Sequence, residues 1–372
     1  MKSRLTAIAL VLFVCLWRYN ADYWHSKWAV MLAVLIVVIG VWVARELTLS
    51  AGVLLGYALL NALWFFGWRW SELSLLHPDA ATRFEDVIAQ AAFAALVLAV
   101  SAIALRKYHA EIRTALAASC WVGALYVIGE FVAGQRDHFL GGFVDQGSLM
   151  GCWLAVTFPF LVEERRKDWG SFAIPVFAAA FILLAEGKAS VQWGAFIVMG
   201  VTYVVARQSG KGFQLRVALF SLGVVLSGLA FGFFFNGRLF YDSARIKIYR
   251  TMMGWWWENA NVWTGKGLGS YLLWGPIIQR EKNFYVGDWF IWMHGDWVEI
   301  TFQLGFVGIA LALWLAWDVS RACWRRRDAA LLSSAMTLMA AMVFQYPLHL
   351  PMFAFLAVAI ISMALKPVEV RE

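Results

Sequence analysis

Apolar stretches recur along this chain at lengths close to those that cross roughly 30 Å of hydrocarbon, and each is bounded by a charged or Gly/Pro-containing segment. Twelve can be placed, near residues 5–17, 28–43, 47–66, 87–105, 114–133, 149–162, 171–185, 191–206, 217–235, 297–319, 329–345 and 352–365. Several are shorter than the ~20 residues of a full span, so the pattern sets their ends only loosely. It predicts an all-α polytopic membrane protein with about twelve transmembrane helices. Helices 1–9 occupy residues 1–235, one large external loop with short helices of its own occupies 236–296, and helices 10–12 occupy 297–372.

Composition removes the soluble alternatives. Of 372 residues, 62% are hydrophobic and only 15% charged, against about 45–50% and about 25% in globular domains. Short cytoplasmic loops retain Lys and Arg, which gives the orientation. With both termini inside, 18 of the 31 basic residues are cytoplasmic, seven lie in the loop 236–296, and six are spread over the five short external loops. The run after Lys2 and Arg4 is expected to stay as the first span, because no small-residue cleavage site precedes Trp17-Arg18-Tyr19. A formal charge of +7 is then mostly a topology signal facing anionic head groups, with no nucleic-acid partner implied. Cys15, Cys120, Cys152 and Cys323 have neither metal-ligand nor disulfide spacing. There is no Asp-x-Asp pair, and Asp22 is the sole acid of the first external loop. No metal or other cofactor is expected.

The segment from Ser243 to Gly308 concentrates the candidate chemistry. Over 243–257 the pattern predicts an amphipathic helix whose Arg245, Tyr249, Met252 and Trp256 share one face by i, i+4, i+7, i+11 spacing. Arg245 among aromatics fits a bidentate phosphate clamp; Lys247 and Arg250 lie on another row, suited to lipid head groups, with Arg250 a further donor-phosphate candidate. Gly265-Lys-Gly-Leu-Gly-Ser270 fits neither a P-loop nor a dinucleotide fingerprint, which leaves an anion nest or a plain turn. Trp255, Trp256, Trp257, Trp263, Trp274, Trp289, Trp292 and Trp297 are too dense for span-end anchoring alone. They would either line a wet pocket for sugar or isoprenoid, or rest the loop on the membrane surface.

Asp296 is expected to be the N-cap of the tenth span, with Glu299 three residues on. His294, just outside that helix start, reads either as a base for a hydroxyl nucleophile or as an interfacial imidazole on a carbonyl. Lys188 occupies a short external turn between apolar segments, with Glu186 as its nearest structural partner. A second external turn, Asp137–Ser148, holds Asp145 and Gln146; His349 is a further candidate base, and Arg69 and Arg83 are external without a pattern to rank them. No internal repeat and no paired broken spans are found, which weighs against a secondary transporter. A transporter or flippase of lipid-linked glycans or small solutes is the alternative from a different class.

In order, spacing and topology these motifs resemble the O-antigen ligase and O-antigen polymerase superfamily over roughly residues 140–350. The resemblance rests on Gly142-Phe143…Gly151 before Pro159, on Arg245 opening the long loop, on Gly265-Lys-Gly-Leu-Gly269, and on His294 followed by Leu304-Gly-Phe-Val-Gly308. Two positions depart from it: Gly187-Lys188 stands where the family has a Ser-Arg-like turn, and Trp263-Thr264 where it has a Pro before the glycine turn. The resemblance implies a metal-independent, inverting glycosyltransferase of the bacterial inner membrane with a periplasmic active site. Its donor would be an undecaprenyl-diphosphate-linked glycan and its acceptor a glycan or lipid A-core, in polysaccharide or lipopolysaccharide synthesis. Under it, Arg245 and Lys188 bind the donor diphosphate, His294 is the base, and Asp296 orients it. Polymerase, ligase and protein O-oligosaccharyltransferase share this donor and are not separated by these residues.

Overall fold

The computed structural model describes residues 57, 109–132, 147–164, 198–203, 205–206, 243–267, 270–283, 293, 295–344, 348 and 351–365. Among them the chain is helical, with no strand. The named helices are α1 (His109–Val132), α2 (Gly147–Glu164), α3 (Ser243–Asn259), α4 (Ser270–Glu281), α5 (Asp296–Arg325), α6 (Ala329–Phe344) and α7 (Pro351–Leu365). Five of them lie where the apolar pattern places spans, and α3 covers the amphipathic helix expected over 243–257. The described helices fall into two compact units: α1, α2, α6, α7 and the end of α5 from Val319 in one, and α3, α4 and α5 through Asp318 in the other.

The first unit packs α1 on α2, α2 on α6, and α6 on α7. Small side chains allow the close approach: Ala115, Ser119, Cys120 and Ala124 on α1, and Ser333, Ser334 and Thr337 on α6, are all buried. Hydroxyls then bond between helices. Ser334 Oγ donates to the Val156 carbonyl at 2.7 Å, next to Ala155, whose carbonyl finds no amide donor at Pro159. Ser333 Oγ donates to the Met199 carbonyl at 2.7 Å, and Thr202 Oγ1 to Ser333 Oγ at 3.2 Å. Trp153 meets Phe353 edge to face at 5.6 Å, tying α2 to α7.

One polar knot fastens the end of this unit. Arg113 donates through Nη1 and Nη2 to the two Asp328 oxygens at 2.6 and 3.1 Å, and its Nη2 also pairs with Glu163. Asp328 is at the same time the N-cap of α6: its Oδ1 accepts the Leu331 amide at 3.0 Å, and its carbonyl accepts that of Leu332. The preceding helix closes with the Asp328 amide on the Cys323 carbonyl and the Arg327 amide on that of Trp324. That is a Schellman ending, with Arg327 at φ 56° where glycine is usual.

Among the described residues α5 alone is long and apolar enough to cross a membrane. It is interrupted at Gly305, whose φ of 66° and ψ of −166° are not helical, so the stretch expected at 297–319 is two arms meeting at a kink. Beyond the kink, Phe306, Val307, Leu313, Trp314 and Trp317 are exposed along one side, at spacings that share a helical face.

Replacing Asp328 tests the polar knot. Asp328→Ala loses the cap and the Arg113 fork together and should cost about 1–2 kcal/mol or more, seen as a lower melting temperature in detergent. Asp328→Asn keeps a cap and should recover part of it; identical melting of wild type and Asp328→Ala would remove the knot from the stability of this unit.

Candidate functional site

The second unit is built on α3. Ile248, Met252, Trp255 and Trp256 are buried on one face of that helix, Tyr249 is half-buried, and Lys247 and Arg250 are exposed. Apolar positions at i, i+4, i+7 and i+8 explain why this side turns inward. Its core gathers Tyr271 and Ile278 of α4, and Met293 and Phe302 of α5 and its approach. Arg245 occupies the first turn of α3, in register with Tyr249, Met252 and Trp256; its side chain lies outside the described residues.

After α3 the chain turns back on itself. Asn259 Nδ2 donates to the Trp255 carbonyl at 2.8 Å, and Asn261 Oδ1 accepts the Trp263 amide at 3.0 Å. Asn261 and Gly265 form an isolated antiparallel bridge. The glycine segment then seats against the kink of α5. The Lys266 and Gly267 amides donate to the Phe302 and Gln303 carbonyls at 3.0 and 2.8 Å, and the Phe306 and Val307 amides donate to the Val262 and Trp263 carbonyls at 2.9 and 3.1 Å. Trp256 Nε1 adds a bond to the Phe302 carbonyl at 2.9 Å, and Tyr57 donates its hydroxyl to that of Leu304 at 2.8 Å. A kink at Gly305 leaves three carbonyls before it and the first amides after it without helical partners, and these bonds supply them. Both glycines are required: Gly265 and Gly305 have φ of 73° and 66°, and a Cβ on either would collide with backbone of the other segment.

This decides between two readings of Gly265–Ser270. The Gly265, Lys266 and Gly267 amides all donate to carbonyls of the protein, so this part of the segment is a backbone clasp and not an anion nest. Lys266 is instead distinguished by its side chain. It is 7% exposed, and its Nζ lies 4.9 Å from the Trp255 ring centre and 4.8 Å from that of Trp274. The two rings are themselves 5.0 Å apart, so the ammonium caps the pair; held there largely out of water it gains about 2 kcal/mol. The tryptophan cluster thus divides. Trp255, Trp256 and Trp274 belong to the packed interior, while Trp257 and Trp263 are each 64% exposed and lean on Phe306 at 6.4 and 6.0 Å.

At the start of α5 the expected cap shifts by one residue. The first helical bond runs from the Glu299 amide to the Gly295 carbonyl, so Gly295 is the N-cap and Asp296 the first helical residue. Glu299 does reach backwards, past the cap: its Oε2 accepts the Met293 amide at 3.2 Å, while Oε1 accepts Gln303 Nε2 at 2.7 Å. Asp296 and Glu299 are both 2% exposed. His294 lies outside the described residues, between Met293 and Gly295, which are buried. Lys188, Asp145, Gln146 and His349 also lie outside them. Tyr271, fully buried edge-on to Phe302, was not singled out by the sequence pattern, nor was the pairing of Trp255 and Trp274 around Lys266. The one signal for them was a lysine set among glycines within a tryptophan-rich segment. Burial pushes the Tyr271 phenol well above its ordinary value of 10.0, and the Glu299 carboxylate and Tyr249 act in the same direction.

No family model matches this chain, and a search of curated proteins returns no match.

The clasp and the phenol each have a direct test. Gly305→Ala should cost more than about 2 kcal/mol, from a left-handed Cβ and its collision with the Trp263 carbonyl. Gly254→Ala in α3, whose Cβ would meet nothing within 4 Å, should gain about 0.5–1 kcal/mol. Equal melting of the two variants would contradict the clasp. For Tyr271, the folded chain keeps the phenolic proton above the pH at which the unfolded chain releases it. Its contribution to stability is therefore intact below about pH 10 and declines above it. Melting temperature followed through that range should fall more steeply for wild type than for Tyr271→Phe, and parallel curves would contradict the burial argument.

Proposed function

We propose that this chain is a bacterial inner-membrane glycosyltransferase that transfers or polymerises an undecaprenyl-diphosphate-linked glycan at the periplasmic face. The reading includes twelve membrane-spanning helices with both termini cytoplasmic. The apolar exposed stripe from Phe306 to Trp317 supports a lipid setting for α5. The observation that carries the catalytic part is how the chain is held on either side of His294. The Met293 amide is bound by the Glu299 carboxylate and the Gly295 carbonyl takes the first bond of α5, so both chain neighbours of His294 are tied to the start of the longest apolar helix among the described residues. A general base needs such a fixed station, because proton transfer falls off steeply with misplacement.

In the proposed reaction an acceptor sugar hydroxyl attacks the anomeric carbon of the donor. The new glycosidic C–O bond forms as the bond to the diphosphate breaks, with inversion, and the diphosphate leaves with the electron pair. His294 takes the hydroxyl proton, with Asp296 orienting it; Asp145, Gln146 and His349 are supporting candidates. Arg245 and Lys188, with Arg250 as a further candidate, bind the diphosphate and offset the charge that develops on it. No metal or other cofactor enters the scheme. The acceptor is a glycan or lipid A-core, and membrane lipids surround the site.

Purified full-length protein with a lipid-linked glycan and a chelator tests this directly. His294→Ala should lower transfer by about 10²–10⁴-fold, and His294→Asn nearly as much, because an amide cannot take the proton. Arg245→Lys should lose most activity through the lost fork, while Lys188→Arg should be tolerated better than Lys188→Ala. Full transfer by His294→Asn beside a dead Arg245→Ala would move the base elsewhere. Passage of the glycan lipid between leaflets without a new glycosidic bond would favour the transporter reading.

A further inference from the structure

The outward apolar surface of α5 starts abruptly at its kink. No residue over 296–305 is exposed, whereas Phe306, Val307, Ala310, Leu313, Trp314 and Trp317 all are, and their i, i+1, i+4, i+7, i+8, i+11 spacing puts them on one helical face. Before the kink that surface continues on the segment clasped to α5 and not on α5 itself. Trp263 is fixed beside the first exposed turn by its backbone: its amide donates to Asn261 Oδ1 at 3.0 Å, and its carbonyl accepts the Val307 amide at 3.1 Å. Its ring meets Phe306 edge to face, and Trp257, from α3, meets the same ring in the same manner.

Trp257 is exposed although Trp255 and Trp256, beside it on α3, are buried. Indoles left outside a packed aromatic core and joined to a larger apolar face mark a binding surface, and tryptophan is the residue enriched where hydrocarbon meets head groups. Lys247, Arg250 and Glu258, exposed on α3 as well, give the rings the charged rim that a head-group region accommodates. A sugar platform would instead need hydrogen-bonding side chains beside the rings, and in this turn Asn259 Nδ2 and Asn261 Oδ1 are spent on the Trp255 carbonyl and the Trp263 amide. We infer that Trp257, Trp263 and Phe306 form a docking surface for the lipid of the membrane interface. The bilayer surface then meets α5 at the Gly305 kink, residues 296–304 stand above it, and the turn after α3 rests in the interface. The inference rests on the membrane reading of α5 given above and adds where on that helix the bilayer begins.

The test places a nitroxide label at one position at a time in full-length protein, reconstituted into vesicles of phosphatidylethanolamine and phosphatidylglycerol. Trp257→Cys, Trp263→Cys and Trp314→Cys are made with Cys15, Cys120, Cys152 and Cys323 replaced by alanine. All three labelled side chains are exposed, so the packed core is spared. Collisions with oxygen, which concentrates in lipid, are compared with collisions with a water-soluble nickel chelate. Labels at 257 and 263 are expected to lose most of their chelate collisions and keep those with oxygen, as the label at 314 does more strongly. Chelate-accessible labels at 257 and 263 beside a lipid-exposed label at 314 overturn the docking surface, leave the membrane reading of α5 intact, and assign the rings to an aqueous ligand such as a glycan. Chelate access at all three positions overturns both. Labels at 257 and 263 shielded from both reagents also overturn it, in favour of a protein partner on the rings.

Discussion

The described part of the second unit is joined where two backbones cross with left-handed glycines facing each other. The kink at Gly305 removes from α5 the carbonyl and amide partners that an unbroken helix would provide. The turn segment from Val262 to Gly267 replaces them, amide for carbonyl, in both directions. Neither half is tenable by itself. Buried away from water, the peptides of a broken helix need protein partners, and a glycine turn of this kind needs a surface to lie on. Once the two are joined, α3 is carried against α5 by Trp256, and Lys266 is carried onto the Trp255–Trp274 pair.

How much of this the sequence discloses depends on the kind of interaction. Burial periodicity is a property of many residues at once, which is why α3 is found over 243–257 by its spacing and extends to Asn259. A kink is a property of one dihedral angle. The apolar pattern runs straight through Leu304-Gly305-Phe306, and nothing in it marks that the glycine leaves the helix. The cap of α5 shows the same limit on a smaller scale. Asp296 and Glu299 have the spacing of a capping pair, yet a glycine carbonyl takes the first helical bond and the glutamate grips an amide farther upstream. Local spacing names the residues that can cap; which carbonyl does so is settled by how the approaching chain is packed, here with Met293 buried in the core.

The two units also use different means to hold helices together. In one, small residues bring helices close and Ser and Thr hydroxyls bond across the gap, the solution available where apolar burial alone discriminates poorly between neighbours. In the other, large aromatic rings pack edge to face and around a cation. An arrangement of rings is directional and tolerates few substitutes. Lys266, Trp255 and Trp274 are in this second kind of structure.

Arg327, at the close of α5, has a consequence of another sort. Glycine would relieve a left-handed backbone there, by about 1–2 kcal/mol, and the Schellman ending would be unchanged. Instead the chain places three consecutive arginines, Arg325, Arg326 and Arg327, at that turn. In the proposed orientation this is where a nascent chain must be stopped on the cytoplasmic side during insertion. Strain in the finished protein would then be the trace of a demand made earlier, when the turn acted as a barrier to translocation and did not yet serve as a joint between two folded helices.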